Sequence, residues 1–109
     1  MPVHLSVHSA GLKHIVRLER QAFAAKIRLT RAVLGWSQTE LGQHVGLTQR
    51  AIHKLEQGAT EPRRATLKAL EAVWHEQKME FEELADGGFR ATVRSSAFAL
   101  GVTRKSKRP

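Results

Sequence analysis

The feature that most constrains the fold is a pair of short amphipathic segments separated by one glycine, between Gln38 and Gln57. Ser37 can cap the first segment, and Glu40 three residues later completes a capping box, so a helix is predicted over 38–45. Gly46 lacks a Cβ and can adopt the left-handed conformation that ends a helix. The sequence therefore predicts two helices joined by one tight turn.

The second segment, from about Gln49 to Gln57, has two chemically different sides. Thr48 is placed to cap it as a helix. At helical spacing one side is apolar, and the other carries amide, imidazole and cationic groups without a carboxylate. The apolar residues are Ala51, Ile52 and Leu55, and the polar residues are Gln49, Arg50, His53 and Lys54.

Four motifs carry a resemblance to a known family: W-S-Q-T-E-L-G, V-G-L-T-Q-R-A-I, L-E-Q-G and P-R-R-A-T-L-K-A-L. From about Ala22 to Trp74 the chain resembles the Xre family, the helix-turn-helix family of lambdoid phage repressors and Cro. The resemblance implies a mainly α, lambda-repressor-like DNA-binding domain of four or five helices, whose second short helix enters the major groove. Gly42 departs from the family, which usually has alanine there; glycine permits close helix packing but costs the helix about 1 kcal/mol.

The resemblance assigns base recognition to the polar side of the second helix. Gln49 lies where similar repressors present a base-reading side chain, and its amide can pair with adenine N6 and N7. Arg50 can donate two hydrogen bonds to guanine O6 and N7. His53 and Lys54, one turn later, are expected to contact a base or a phosphate. The alternative for all four is a solvated helix face.

A second set of residues is expected to bind the DNA backbone. Gln38 lies at the start of a helix, where backbone N–H groups favour an anion; a capping role is the alternative. The resemblance also implies an ion pair between Arg31 and Glu56 that orients the arginine toward DNA, with a surface pair of little energetic consequence as the alternative. The predicted phosphate-binding residues are Arg31, Gln38, Thr48, Gln57, Thr60, Arg63 and Arg64.

The segments outside the helix-turn-helix are predicted to extend it. Val3, Leu5 and Val7 alternate with polar residues, which predicts a short N-terminal strand. A helix should follow, and it either ends near Arg20 or continues into the first core helix. The expected division of the chain is an N-terminal extension over 1–20, the DNA-binding domain over 21–78, a β-hairpin over 79–96 and a basic flexible tail over 97–109.

The hairpin is predicted from a change of period after Met79. Apolar and charged residues alternate on both sides of Asp86-Gly87-Gly88, as in two strands joined by a turn. Because an isolated hairpin is marginal, its apolar side needs a cover, which the first helix, the N-terminal strand or a second copy could supply.

The amino-acid composition limits which partners and which chemistry the chain can have. Lysine and arginine outnumber acids by 18 to 10, which favours a polyanionic partner, with acidic membrane lipid as the rival to nucleic acid.

The absence of cysteine excludes thiolate metal sites, and the six histidines form no compact ligand set in the sequence, so no metal or other cofactor is expected. No catalytic triad, phosphate-binding loop or carboxylate pair can be assembled, so no enzyme is expected. The sequence offers no membrane span or signal peptide, which predicts a cytoplasmic, nucleoid-associated protein.

These observations predict a sequence-specific transcriptional regulator, a repressor that binds a two-fold symmetric operator as a homodimer. The dimerising element is expected in Val3 to Leu18 or in the hairpin. The alternative is an antitoxin that uses the same DNA-binding core and binds a toxin through a terminal extension. A nonspecific nucleic-acid or membrane-surface binder is a third hypothesis, for which the basic tail would suffice.

Overall fold

The computed structural model describes the secondary structure of residues 3–99 and the side chains of residues 16–99. Within that range the chain forms five α-helices and one antiparallel hairpin, which confirms the predicted mainly helical architecture. In chain order the elements are α1 (Val3–Leu34), α2 (Gln38–Val45), α3 (Gln49–Glu56), α4 (Arg64–Glu76), β1 (Met79–Glu83), β2 (Phe89–Val93) and α5 (Ser95–Phe98).

The N-terminal segment is helical rather than extended. Since α1 runs unbroken from Val3 to Leu34, the strand predicted at Val3, Leu5 and Val7 is wrong, and the helix continues through Arg20 into the core. A strand needs a neighbouring strand, whereas a helix satisfies its backbone N–H and C=O groups internally. Within residues 3–99 the strands β1 and β2 pair only with each other. A helix is therefore the conformation that leaves few backbone groups unpaired.

The turn between α2 and α3 has the predicted local chemistry. Ser37 Oγ accepts from the Glu40 N–H at 3.0 Å, and Glu40 Oε1 accepts from the Ser37 N–H at 2.7 Å, which completes the capping box. Gly46 has φ 75°, the left-handed conformation that ends α2. A Cβ on Gly42 would lie closer than 3.0 Å to the backbone oxygen of Leu47. Glycine at this position therefore lets the turn pack directly on α2.

The core lies where α1, α3 and α4 meet around α2. Leu41 of α2, Ile52 of α3 and Leu70 of α4 are fully buried. Burial of each such side chain contributes about 1.5–3 kcal/mol. On α1, Thr30 accepts a hydrogen bond of 2.8 Å from Trp74 Nε1 of α4 and donates one of 2.7 Å to the Lys26 carbonyl. This polar link joins α4 to α1, while α3 packs on α1 and α2 packs on α4.

The predicted hairpin forms between β1 and β2, with Phe81 opposite Ala91 in the register. Its apolar side is covered by α1 and α4. The Phe81 ring packs edge-on against Trp74 with centroids 4.8 Å apart and against Phe89 at 5.6 Å. Lys26 Nζ of α1 lies 5.5 Å from the centroids of both phenylalanine rings. Of the covers considered from the sequence, the first helix is the one observed, together with α4.

None of the helices in the described part of the chain combines the length and the hydropathy that a bilayer crossing requires.

Candidate nucleic-acid interface

The outer face of α3 is exposed and carries no exposed carboxylate. Gln49, Arg50, His53 and Lys54 are all exposed on this face, as the spacing predicts. Thr48 Oγ1 accepts from the Ala51 N–H at 3.1 Å and begins the helix. The acidic residue of α3, Glu56, is 6 % exposed and lies on the inner side. The exposed face of α3 therefore presents amide, imidazole and cationic groups.

The predicted ion pair between Arg31 and Glu56 is present and joins α1 to α3. Arg31 Nε donates to Glu56 Oε2 at 2.5 Å and Nη2 donates to Oε1 at 3.0 Å, a two-point contact. Arg31 Nη1 donates to the carbonyl of Trp36 at 3.1 Å. Arg28 Nη1 donates to the backbone carbonyl of Glu56. The two arginines thus fix the C-terminal end of α3 on α1.

These contacts also set the ionisation of the pair. Burial alone raises the pKa of the Glu56 carboxyl, but hydrogen bonds from Arg31 and Gln38, and the charges of Arg31 and Arg28, outweigh it and hold that pKa below its usual value. The hydrogen bond with Glu56 raises the pKa of Arg31. The pair is therefore fully ionised at neutral pH, and α3 is held by a charge-assisted contact.

A network of side chains extends from this pair to the exposed face of α3. Gln38 Nε2 donates to Glu56 Oε1 at 2.9 Å and lies 3.4 Å from His53 Nδ1. Gln49 Nε2 donates to Gln38 Oε1 at 2.5 Å. The structure thus brings together Arg31, Gln38, Gln49 and His53, which the sequence had assigned to separate base and phosphate roles. The Gln38 NH₂ group donates one N–H to Glu56, so a contact from this amide to a phosphate depends on its other N–H.

Two parts of the network were missed by sequence reasoning. Arg28 is not among the predicted site residues, although it lies three positions before Arg31 and so on the same side of α1. That spacing is the signal that could have identified it. The bond between Gln38 and Gln49 depends on the angle between α2 and α3, and the sequence contains no separate signal for it.

The remaining predicted phosphate-binding residues flank α3. Lys54, Thr60 and Arg63 line a shallow depression of about 350 Å³ between α3 and the loop before α4. Arg64 is the first residue of α4 and is exposed, as is Gln57 at the end of α3. The side chain of Arg63 makes no capping hydrogen bond to α4. In the part of the chain whose side chains are described, Arg63, Arg64 and Lys54 take part in none of the four salt bridges.

Comparison with known proteins identifies the segment that carries this face. Residues 22–73, somewhat under half of the 109-residue chain, match a family model described as a helix-turn-helix domain. No curated protein and no solved structure gives a match. The matched segment contains α2, the turn and α3 complete, with parts of α1 and α4 on either side. Residues 22–73 therefore resemble a helix-turn-helix domain, a class of domain that binds DNA.

Proposed function

We propose that the chain is a sequence-specific transcriptional regulator of the Xre type, a repressor that occupies a two-fold symmetric operator as a homodimer. The observation that carries the proposal is the exposed face of α3, from which the one acidic group of that helix is turned away. One such helix contacts only a few base pairs. Two copies with their α3 helices about 34 Å apart would contact successive major grooves on one side of the duplex.

Base recognition is proposed for the four exposed residues of α3. Arg50 can donate two hydrogen bonds to one guanine, and Gln49 can pair with adenine, each worth about 1–3 kcal/mol of discrimination. Gln49 is held by Gln38 in the free protein. Less side-chain entropy is therefore lost when its amide meets a base. His53 and Lys54 lie one turn further along and are proposed to contact a base or a phosphate.

Backbone contacts are proposed on both sides of α3. Gln38 and Thr48 lie at the N-terminal ends of α2 and α3, where backbone N–H groups attract phosphate. Arg31 is 26 % exposed and already bound to Glu56, so its proposed part is to add positive charge and to hold α3 in position. The proposed contacts beyond the C-terminal end of α3 are Gln57, Thr60, Arg63 and Arg64.

Selection of bound duplexes from a random pool, with the solution mass measured in parallel, tests the proposal. The expected result is a two-fold symmetric motif whose half-site centres are about 10 base pairs apart, bound by a species of two chains. A pool without enrichment, or random duplex that competes as well as the selected one, would contradict it. Recovery of the same motif together with a co-purifying small protein would assign the DNA site to an antitoxin instead.

Single substitutions in the protein, measured with the selected duplex, distinguish phosphate contacts from base contacts. Arg63→Ala and Arg64→Ala, at two proposed phosphate contacts, should weaken binding to all duplexes alike and lower the salt slope by about one unit each. Arg90→Ala is the matched control, because it removes one positive charge from the hairpin, which forms no part of the α3 face. An equal change of slope in the control would mean that the protein's overall charge, and not these positions, determines binding.

A further inference from the structure

A second surface lies between α1, α4 and the turn of the hairpin. It is a groove of about 610 Å³ to which α2 and α3 contribute no residue. Its larger apolar lining residues are Leu18, Phe23, Leu67, Trp74, Leu84 and Phe89. Among the described side chains, Leu84 in the groove is 37 % exposed, and Val16, two residues before Leu18 on α1, is 39 % exposed. The groove thus exposes apolar area that the DNA site does not use.

The rim of this groove is acidic in a chain whose formal net charge is +8. Four carboxylates border it, from Glu19, Glu71, Glu83 and Asp86, against one cation, Lys26. Lys26 Nζ lies 3.8 Å from Glu83 Oε2, and the Lys26 side chain is 15 % exposed. Three carboxylates therefore have no cation of the groove beside them. An occupant that matches this surface is both apolar and cationic.

The first half of α1 has that chemistry. In the sequence, Leu12, Ile15 and Val16 recur at helical spacing, and the basic residues Lys13 and Arg17 follow Leu12 and Val16 directly. α1 contains 32 residues and so extends over about 48 Å at 1.5 Å per residue. Its second half forms one wall of the groove. Because a continuous helix cannot fold back on itself, the first half cannot enter the groove of its own chain.

We infer that the groove receives the first half of α1 from a second copy of the chain. Two α1 helices that run antiparallel about a two-fold axis near Leu18 place residues 10–18 of one beside residues 18–26 of the other. Residues 18–26 include the α1 wall of the groove. Such a contact is self-complementary, since each copy gives one helix and receives one. The inference rests on the proposed homodimer and names the surface that forms it.

Paired charge reversals in the full chain test this arrangement. One variant carries Glu19→Lys and Glu71→Lys in the groove, and the other carries Lys13→Glu and Arg17→Glu in the helix that enters it. Each variant alone should dissociate at least tenfold more readily than the unchanged chain, because like charges face each other. An equimolar mixture should regain a species of two chains, one of each kind, because both contacts are again between opposite charges.

Mass is measured without DNA, and circular dichroism checks that each variant keeps its helix content. Variants that dimerise as well as the unchanged chain would overturn the inference. So would two helical variants whose mixture stays monomeric, or an unchanged chain that remains monomeric at all concentrations. A failure of the proposed regulatory function would give a different result. The charge-reversal variants would behave as expected, but the dimer would show no preference among duplexes.

Discussion

Replacement of Glu56 by glutamine tests whether the buried ion pair holds α3 in position. Glu56 is 6 % exposed and accepts two hydrogen bonds from Arg31 and one from Gln38. Glu56→Gln preserves the size of the side chain but removes its charge. It also replaces one acceptor oxygen with an NH₂ group directed at a guanidinium that can only donate. At least one charge-assisted bond is therefore lost.

The expected loss in the free energy of unfolding is about 2 kcal/mol. Hydrogen bonds to charged groups contribute about 1.5–3 kcal/mol each. The loss should stay below the roughly 3–5 kcal/mol measured for fully buried pairs, because Arg31 is 26 % exposed and water can replace part of the contact. For a domain of this size a loss of about 2 kcal/mol lowers Tm by about 10 °C.

Thermal and urea unfolding followed by circular dichroism measure this change, with Glu82→Gln as the matched control. Glu82 also pairs with an arginine, Arg90 at 2.9 Å, but the two side chains are 66 % and 65 % exposed. An exposed pair contributes about 0.2–1 kcal/mol, so the control should lower Tm by a few degrees at most. Equal effects of the two substitutions would refute the reasoning that burial makes the Glu56 pair important.

Three further predictions concern stability. Because the folded-state pKa of Glu56 is lowered, its contribution is complete above the unfolded value of about 4.3 and is lost as pH falls through the folded value. Glu56→Gln should flatten that acid-side decline in urea unfolding, and an unchanged decline would contradict the assignment. Gly42→Ala should lower Tm, because the new Cβ would clash with the Leu47 carbonyl, and this clash should outweigh the gain of about 1 kcal/mol in helix propensity from alanine. A higher Tm would show that the turn shifts to make room for the Cβ. Trp74→Phe should cost about 1 kcal/mol or more in urea unfolding, since it removes the hydrogen bond to the buried Thr30, and no loss would contradict a structural role for that bond.

Elements with local chemical signals were predicted correctly from the sequence. The capping box of Ser37 and Glu40 and the left-handed Gly46 depend only on neighbouring residues, so the boundaries of α2 follow from the chain itself. The strand predicted at Val3 to Val7 failed because three alternating positions are a weak pattern, and a strand also needs a partner that no local signal supplies. The described structure extends α1 there instead.

Features that depend on distant contacts were beyond sequence reasoning. The bond between Gln49 and Gln38 follows from the angle between two helices, and the groove beside Leu18 forms only when the hairpin packs across α1 and α4. The pairing of Arg31 with Glu56 was expected from a family resemblance, and their contact distances came from the structure. Residue types for the α3 face were therefore predictable, but the network that holds them was not.

The central claim is that the exposed face of α3 contacts base edges in DNA, and selection with Arg50→Ala tests it most directly. Bound duplexes would be selected from the same random pool with the unchanged chain and with the variant. We expect the variant to lose a guanine preference at one position in each half-site, while the rest of the motif and the half-site spacing persist. An identical motif bound with uniformly lower affinity would contradict it, because Arg50 would then contact only the DNA backbone.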